Sequence, residues 1–474
     1  MAKFSYCICR QKQPSLASAI HRDRSRQTVT TSEPSVSSLP FEVSNRMVFA
    51  IAVPMTLAYL TTPLLGIVDT AVIGQFGDAA LIGGLAVGAI IFDIVFTTFN
   101  FLRSGTTGFV AQAFGRGDET EQQAVFWRAV LLAAGLGLVL LILGPLIREL
   151  GILLMNPGEG VADATRSYVT IRMLGAPFSL VNYALLGLLL GQGRAMAGLL
   201  LQTLLNGINI AGSIWFGLVL GWQIEGVAIG TVLGEAIAAG AGFWWIRRGF
   251  DLRHAPSRAR VLDREAFLRL VSVNRDIMIR SFALLAGFSL FTRTGAQFGA
   301  VTLAANAILM NFFLIAGYYL DGFATAAEQI VGRAIGANHP PAFWRAVRLT
   351  TMWGFALAGF TTIMVVLFGP AAIDLMTTAP DVRAEAKTYL MWAALTAIAG
   401  VLAFEMDGVF IGATWSKDMR NMMLASLAVF VILLLTVVPA YGNHGLWLAL
   451  NVFLGVRGLT LLAILPRKAR RVFG

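Results

Sequence analysis

The sequence predicts an all-α polytopic membrane protein of twelve transmembrane helices in two pseudo-symmetric six-helix lobes. Three observations carry that expectation. Of the 474 residues, 57% are hydrophobic and 13% charged, whereas soluble domains carry about 25% charged residues. Apolar runs recur from residue 47 to the C-terminus at a length of about 20 residues, enough to cross a bilayer core as helix. The chain also repeats itself. Ala124–Val130 (AVFWRAV) returns as Ala342–Val347 (AFWRAV), Val110–Gly115 (VAQAFG) as Val331–Gly336 (VGRAIG), and Gly187 with Gly191 as Gly408 with Gly412. No alternating ten-residue strands of the kind a barrel needs are present.

Residues 1–45 are polar and rich in Ser, Thr and Arg. They lack an apolar stretch of signal-peptide length, and a disordered cytoplasmic tail or an upstream start is expected. Cys7 and Cys9, the two cysteines, both fall here. One Cys-x-Cys and four scattered histidines support neither a disulfide framework nor a metal site. The N-lobe is expected over 46–246, with span 1 near 47–72 and span 2 near 80–103. A polar, re-entrant stretch follows over Arg103–Glu121, and then spans near 122–147, 162–191, 196–220 and 224–246. A basic linker covers 247–265. The C-lobe is expected over 266–466, with spans near 272–296, 300–325, 344–369, 384–413, 419–440 and 443–465, followed by a basic tail over 467–474.

Charge orients this map. Basic residues gather near Arg116, Arg194, the linker, Arg333, Arg345, Lys417, Arg420 and Arg467–Arg471, while the opposite loops have almost none. By the positive-inside rule both termini are cytoplasmic. The net charge of +10 is explained by these loops and does not call for nucleic acid. With six spans per half, the repeats are parallel, an architecture in which a substrate route runs between rocking halves.

Ionisable residues inside spans mark function, because a charge at the bilayer centre costs roughly 2.5–3.5 kcal/mol on insertion scales. Asp69 lies in the first span, in a stretch with no basic neighbour and after Pro54 and Pro63, whose missing amides permit bending. Such an acid can load and release a proton or, beside oxygen donors, hold a sodium ion. Asn209 and Thr231 are the candidate neutral donors. Asp93 and Glu235 complete the N-half acids. The C-half has Asp321, Glu328, Glu405 and Asp407. Asp321 and Glu328 are seven residues apart and share a helix face. Glu405 and Asp407 point apart, so at most one faces a cavity. Arg280 and Arg293 are the candidate counter-charges. Aromatics such as Tyr183, Phe288, Phe312, Tyr318 and Tyr319 can line a cavity for flat cations or pack against lipid. No phosphate-binding loop is present, so ATP is not expected to drive the protein. No nucleophile–base pair suggests an enzyme.

Several long stretches in order then resemble one family: PLLGIVDTAVIG at 63–74, FLRSGTTGFVAQAFG at 101–115, NRDIMIRS at 274–281, YLDGFATAAE at 319–328, MDGVFIGAT at 406–414 and GNHGLWLALNVFLGVRGL at 442–459. The chain resembles the multidrug and toxic compound extrusion (MATE) transporters, in particular the DinF branch, over about residues 45–465. The resemblance implies the MATE fold, a V-shaped cleft and cation-driven antiport of organic, often cationic, compounds in an inner membrane by a single chain. It implies that Asp69 is the coupling acid of the N-lobe. The Asn-x3-Asp pair of related fifth helices stands here as Asn209 and Ser213, and the sixth-helix threonine as Thr231. Losing one carboxylate favours protons over sodium. Asp407 matches a tenth-helix acid, and Asp321 and Glu328 join it as C-lobe cavity candidates. Sodium coupling and a lipid-linked precursor flippase are the alternatives; no cofactor is implied.

Overall fold

The computed structural model describes residues 39–474. Most of the segment expected as a tail, including both cysteines, lies outside these residues. Its described residues, 39–45, are docked in part instead. The Leu39 amide donates to the Ala337 carbonyl at 3.1 Å, Val43 is buried in the core, and the Arg333 guanidinium lies 4.1 Å from the Phe41 ring centre. Phe41 and Val43 are apolar side chains with a core within reach, so this part of the segment gains by docking.

Twelve spans follow, all helical. They are α1 Asn45–Gly74, α2 Ala79–Gly115, α3 Glu119–Met155, and α4, bent by 51° between its arms Glu159–Met173 and Ala176–Gly191. Next come α5 Ala195–Val219, α6 Gln223–Arg248, α7 Arg264–Ala296, α8 Ala300–Gly336, α9 Pro340–Met376, α10 Pro380–Gly412, α11 Ser416–Thr436 and α12 Val438–Phe473. Turn chemistry sets the starts. The side chains of Ser44, Asp78, Asp118 and Asp263 each accept from an amide in the first turn of α1, α2, α3 and α7, satisfying donors that a helix start leaves open. The α4 bend falls at Leu174–Gly175, and Pro177 opens the second arm, where its missing amide costs nothing.

Several boundaries differ from expectation. The stretch Arg103–Glu121 is not re-entrant: past a one-residue break at Asn100, α2 runs on to Gly115. Its polar side chains are tolerated because they face protein, with Thr106 and Thr107 donating to the carbonyls of Leu102 and Arg103 one turn back. Likewise α8 continues eleven residues past the expected end of its span. The basic residues Arg467–Arg471 belong to α12, which is helical to Phe473. Between α6 and α7 the linker forms two short turns, Leu252–His254 and Arg258–Val261.

Helices α1–α6 and α7–α12 form the two halves, and they meet along α1, α2, α8 and α10. The repeated stretches pack on one another there. A Cβ on Gly115 would strike the Arg333 backbone, and one on Gly336 the Gln112 backbone. Within each half the same fit recurs: Gly187 against the Arg103 carbonyl, and Gly408 against that of Ala324. Small residues let membrane helices approach this closely. Hydrogen bonds between the halves, among the described residues, are Asn45–Trp353, Tyr59–Thr325, and Gln112 to the Gly412 carbonyl and Thr414. All lie at mid-span or toward the end that carries the basic loops.

Candidate functional site

The N-half site is built on α1. The helix is continuous through Pro54 and Pro63. Pro63 has no amide to offer the Tyr59 carbonyl, and six residues later Asp69 is 7% exposed. It faces α5 where that helix widens: Ser213–Val219 is π-helical, and the Leu220 amide reaches back to the Trp215 carbonyl. Such widened turns often accompany functional sites. Ser213 opens the wide segment, and its hydroxyl donates to Asp69 Oδ1 at 2.7 Å. The same hydroxyl lies 3.2 Å from Asn209 Oδ1. It has one proton, and the shorter contact to the carboxylate takes it.

The fold brings Asp69, Ser213 and Asn209 together. Thr231 is close by on α6, where Gly212 and Gly230 let α5 and α6 touch backbone to backbone. Its hydroxyl, however, donates to the Val227 carbonyl of its own helix. Glu235 does not join Asp69. It pairs with Arg172 of α4 at 2.9 Å, and that guanidinium also lies 4.7 Å from the Phe92 ring centre. Arg172 is within electrostatic reach of Asp69. Asp93 is exposed on α2.

A second site lies between the halves. A cavity of about 90 Å³ is lined by Tyr59 and Arg103 from the N-half and by Arg280, Asp321, Glu328 and Asp407 from the C-half. Arg103 Nη1 is 3.5 Å from Glu328 Oε2, so an ion pair crosses from α2 to α8. Asp407 is held by two guanidiniums, Arg280 of α7 and Arg457 of α12. Asp321 and Glu328 do share a face. Of Glu405 and Asp407, only Asp407 reaches the cavity; Glu405 is fully buried, and among the described residues neither of its carboxylate oxygens has a hydrogen-bond partner.

Three arginines were not anticipated: Arg103, Arg172 and Arg457. Arg103 was hidden by reading its stretch as re-entrant. Arg457 sits inside the apolar last span, where a lone guanidinium is itself the signal for a buried acid. Arg293, expected to neutralise acids, is exposed near the end of α7 and forms no ion pair among the described residues.

A buried acid on the first helix and a charged cavity between two repeated halves define a membrane transporter, not an enzyme. A family model described as MatE matches residues 54–215 and 277–437. The chain belongs to the MatE family. It is 37% identical over 428 residues to DNA damage-inducible protein F of Escherichia coli strain K12, covering 90% of this chain and 93% of that one. It is 25% identical over 453 residues to the probable multidrug resistance protein NorM of Chromobacterium violaceum, covering 90% and 94%. A solved structure described as the outward-facing conformation of a multidrug resistance MATE family transporter superposes with a TM-score of 0.78 at 17% identity, over 90% of this chain and 96% of that one. That likeness establishes the shared fold.

Proposed function

We propose that the chain is an efflux antiporter of a bacterial inner membrane that exports organic, often cationic, compounds against protons and works as a monomer with both termini cytoplasmic. The observation that carries this reading is Asp69, a nearly buried carboxylate of α1 whose hydrogen-bond partner is the Ser213 hydroxyl. A carboxylate so placed can hold a proton or a cationic solute, but not both. Proton entry then releases the solute, and Pro54 and Pro63 give α1 places to bend as the site empties. The joined end of the halves is the end with the basic loops. With that end cytoplasmic, the structure corresponds to the outward-facing stage of alternating access. The relatives named for multidrug resistance support the substrate class.

Sodium is the second reading, since Ser213 and Asn209 supply oxygen atoms beside Asp69. One carboxylate without a second acid gives a sodium ion little charge, which favours the proton. A flippase for a lipid-linked pyrophosphate would need unneutralised central cations. Four central arginines are present, but Arg103, Arg172, Arg280 and Arg457 all lie against acids.

The test is accumulation of a fluorescent organic cation in proteoliposomes under a pH gradient or a sodium gradient alone. The pH gradient drives accumulation in the wild type, and Asp69→Asn abolishes it while the protein remains folded by thermal denaturation. Full transport by Asp69→Asn sinks the mechanism, and transport driven by sodium alone overturns the choice of ion.

A further inference from the structure

The repeated Phe-Trp-Arg-Ala-Val stretch ends up in two unlike environments. In the N-half, Arg128 is 3% exposed. It donates to Glu121 at 2.7 Å and to the carbonyls of Arg260 and Val261 in the linker. Asp118 and Glu121 also pair with Arg260, so the linker is tied over this copy and its charge is spent within the protein. In the C-half the counterpart, Arg345, follows ten residues (Ile335–Trp344) that contain no acid. Arg345 is 53% exposed, and its partner is Glu42 at 3.4 Å, itself 81% exposed. A pair so exposed leaves the charge largely available. One turn on, Arg348 is exposed and has no ion-pair partner among the described residues.

These two arginines frame a groove of about 620 Å³ with Trp344 and Leu349. Trp344 is 43% exposed, as expected of an indole at a membrane–water boundary. Below Arg348 on the same face of α9 run exposed Met352, Phe355, Ile363 and Leu367, at helical spacing. A cationic head position, an interfacial indole and an apolar lane along one helix match the parts of one kind of molecule.

We propose that Trp344, Arg345 and Arg348 hold the phosphate headgroup of an anionic phospholipid of the surrounding bilayer, with its acyl chains lying along Met352, Phe355 and Ile363. The guanidiniums supply paired N–H donors to phosphate oxygens. The N-half has no equivalent site, because the linker occupies it.

The test uses the full-length protein in mild detergent, titrated with phosphatidylglycerol or with phosphatidylcholine of the same chains, and read by native mass spectrometry. The wild type retains one phosphatidylglycerol in preference to phosphatidylcholine. Arg345→Gln with Arg348→Gln weakens that retention roughly thirty-fold, taking about 1 kcal/mol per arginine near an anionic lipid. Arg258→Gln with Arg269→Gln, exposed charges elsewhere on the same side, leaves it unchanged. Equal retention of both lipids, or phosphatidylglycerol retention that survives the Arg345/Arg348 double variant, overturns the proposal. So does a dimer that dissociates in that variant, because a second chain would then cover the groove.

Discussion

The Ser213 hydroxyl is the residue on which the character of the coupling site turns. Its hydrogen bond to Asp69 is charge-assisted when the carboxylate is ionised, a class worth about 1.5–3 kcal/mol. Ser213→Ala removes it and leaves Asp69 Oδ1 without that donor. The expected result is a lower melting temperature in detergent at neutral pH, with the loss shrinking when Asp69→Asn is combined with it. Ser213→Asp has a different outcome. It places two carboxylates around Asn209, and a sodium gradient then drives accumulation that it does not drive in the wild type. Glu405 makes the opposite case. An acid with no exposure and no hydrogen-bond partner among the described residues is held at a cost of about 1–3 kcal/mol or more, so Glu405→Met, of similar volume, raises the melting temperature. Asp69, Asn209 and Ser213 were legible in the sequence because an acid in an apolar span has few explanations. Their hydrogen bonding was not, because it depends on a π-helical turn that no residue pattern announces.

At the scale of elements, the join between the halves rests on α1, α2, α8 and α10. Arg103 and Glu328 form an ion pair across it, and removing one partner strands the other in a site that is 2% exposed at Glu328. Arg103→Gln is expected to destabilise by about 3–5 kcal/mol. Adding Glu328→Gln restores most of that stability, a recovery that a purely steric role for Arg103 does not produce. The measurement is a double-mutant cycle on thermal unfolding. The span pattern was readable from hydropathy, including the six-plus-six division. The depth of α2 and α8 was not. Threonines and glutamines at their buried ends read as loop residues unless one knows that another helix, with equally small side chains, will cover them.

For the whole molecule, the arrangement of contacts predicts which end is fixed. Gln112 Nε2 is 3.3 Å from Thr414 Oγ1 and 3.0 Å from the Gly412 carbonyl, joining the halves beside the basic loops. Cysteines at positions 112 and 414 are expected to crosslink under mild oxidation in the resting protein, to stop transport, and to release it on reduction. Crosslinking without loss of transport would mean that the halves do not part at this end during the cycle. The order of spans followed from hydropathy along the chain. The tightness of the join did not, because it arises from pairs of glycines over 200 residues apart in the chain.

Thr107 and Glu328 occupy the same place in the two repeats, in register with Gly187 and Gly408, and the Thr107 side chain lies beside Glu328. In a symmetric pair of identical six-helix units, a residue at that position would face its own copy. A glutamate there would then set two carboxylates against each other in a poorly solvated space. With both halves in one chain, one side carries the acid while the other keeps a hydroxyl. The charge on α8 is therefore a mark of lost symmetry.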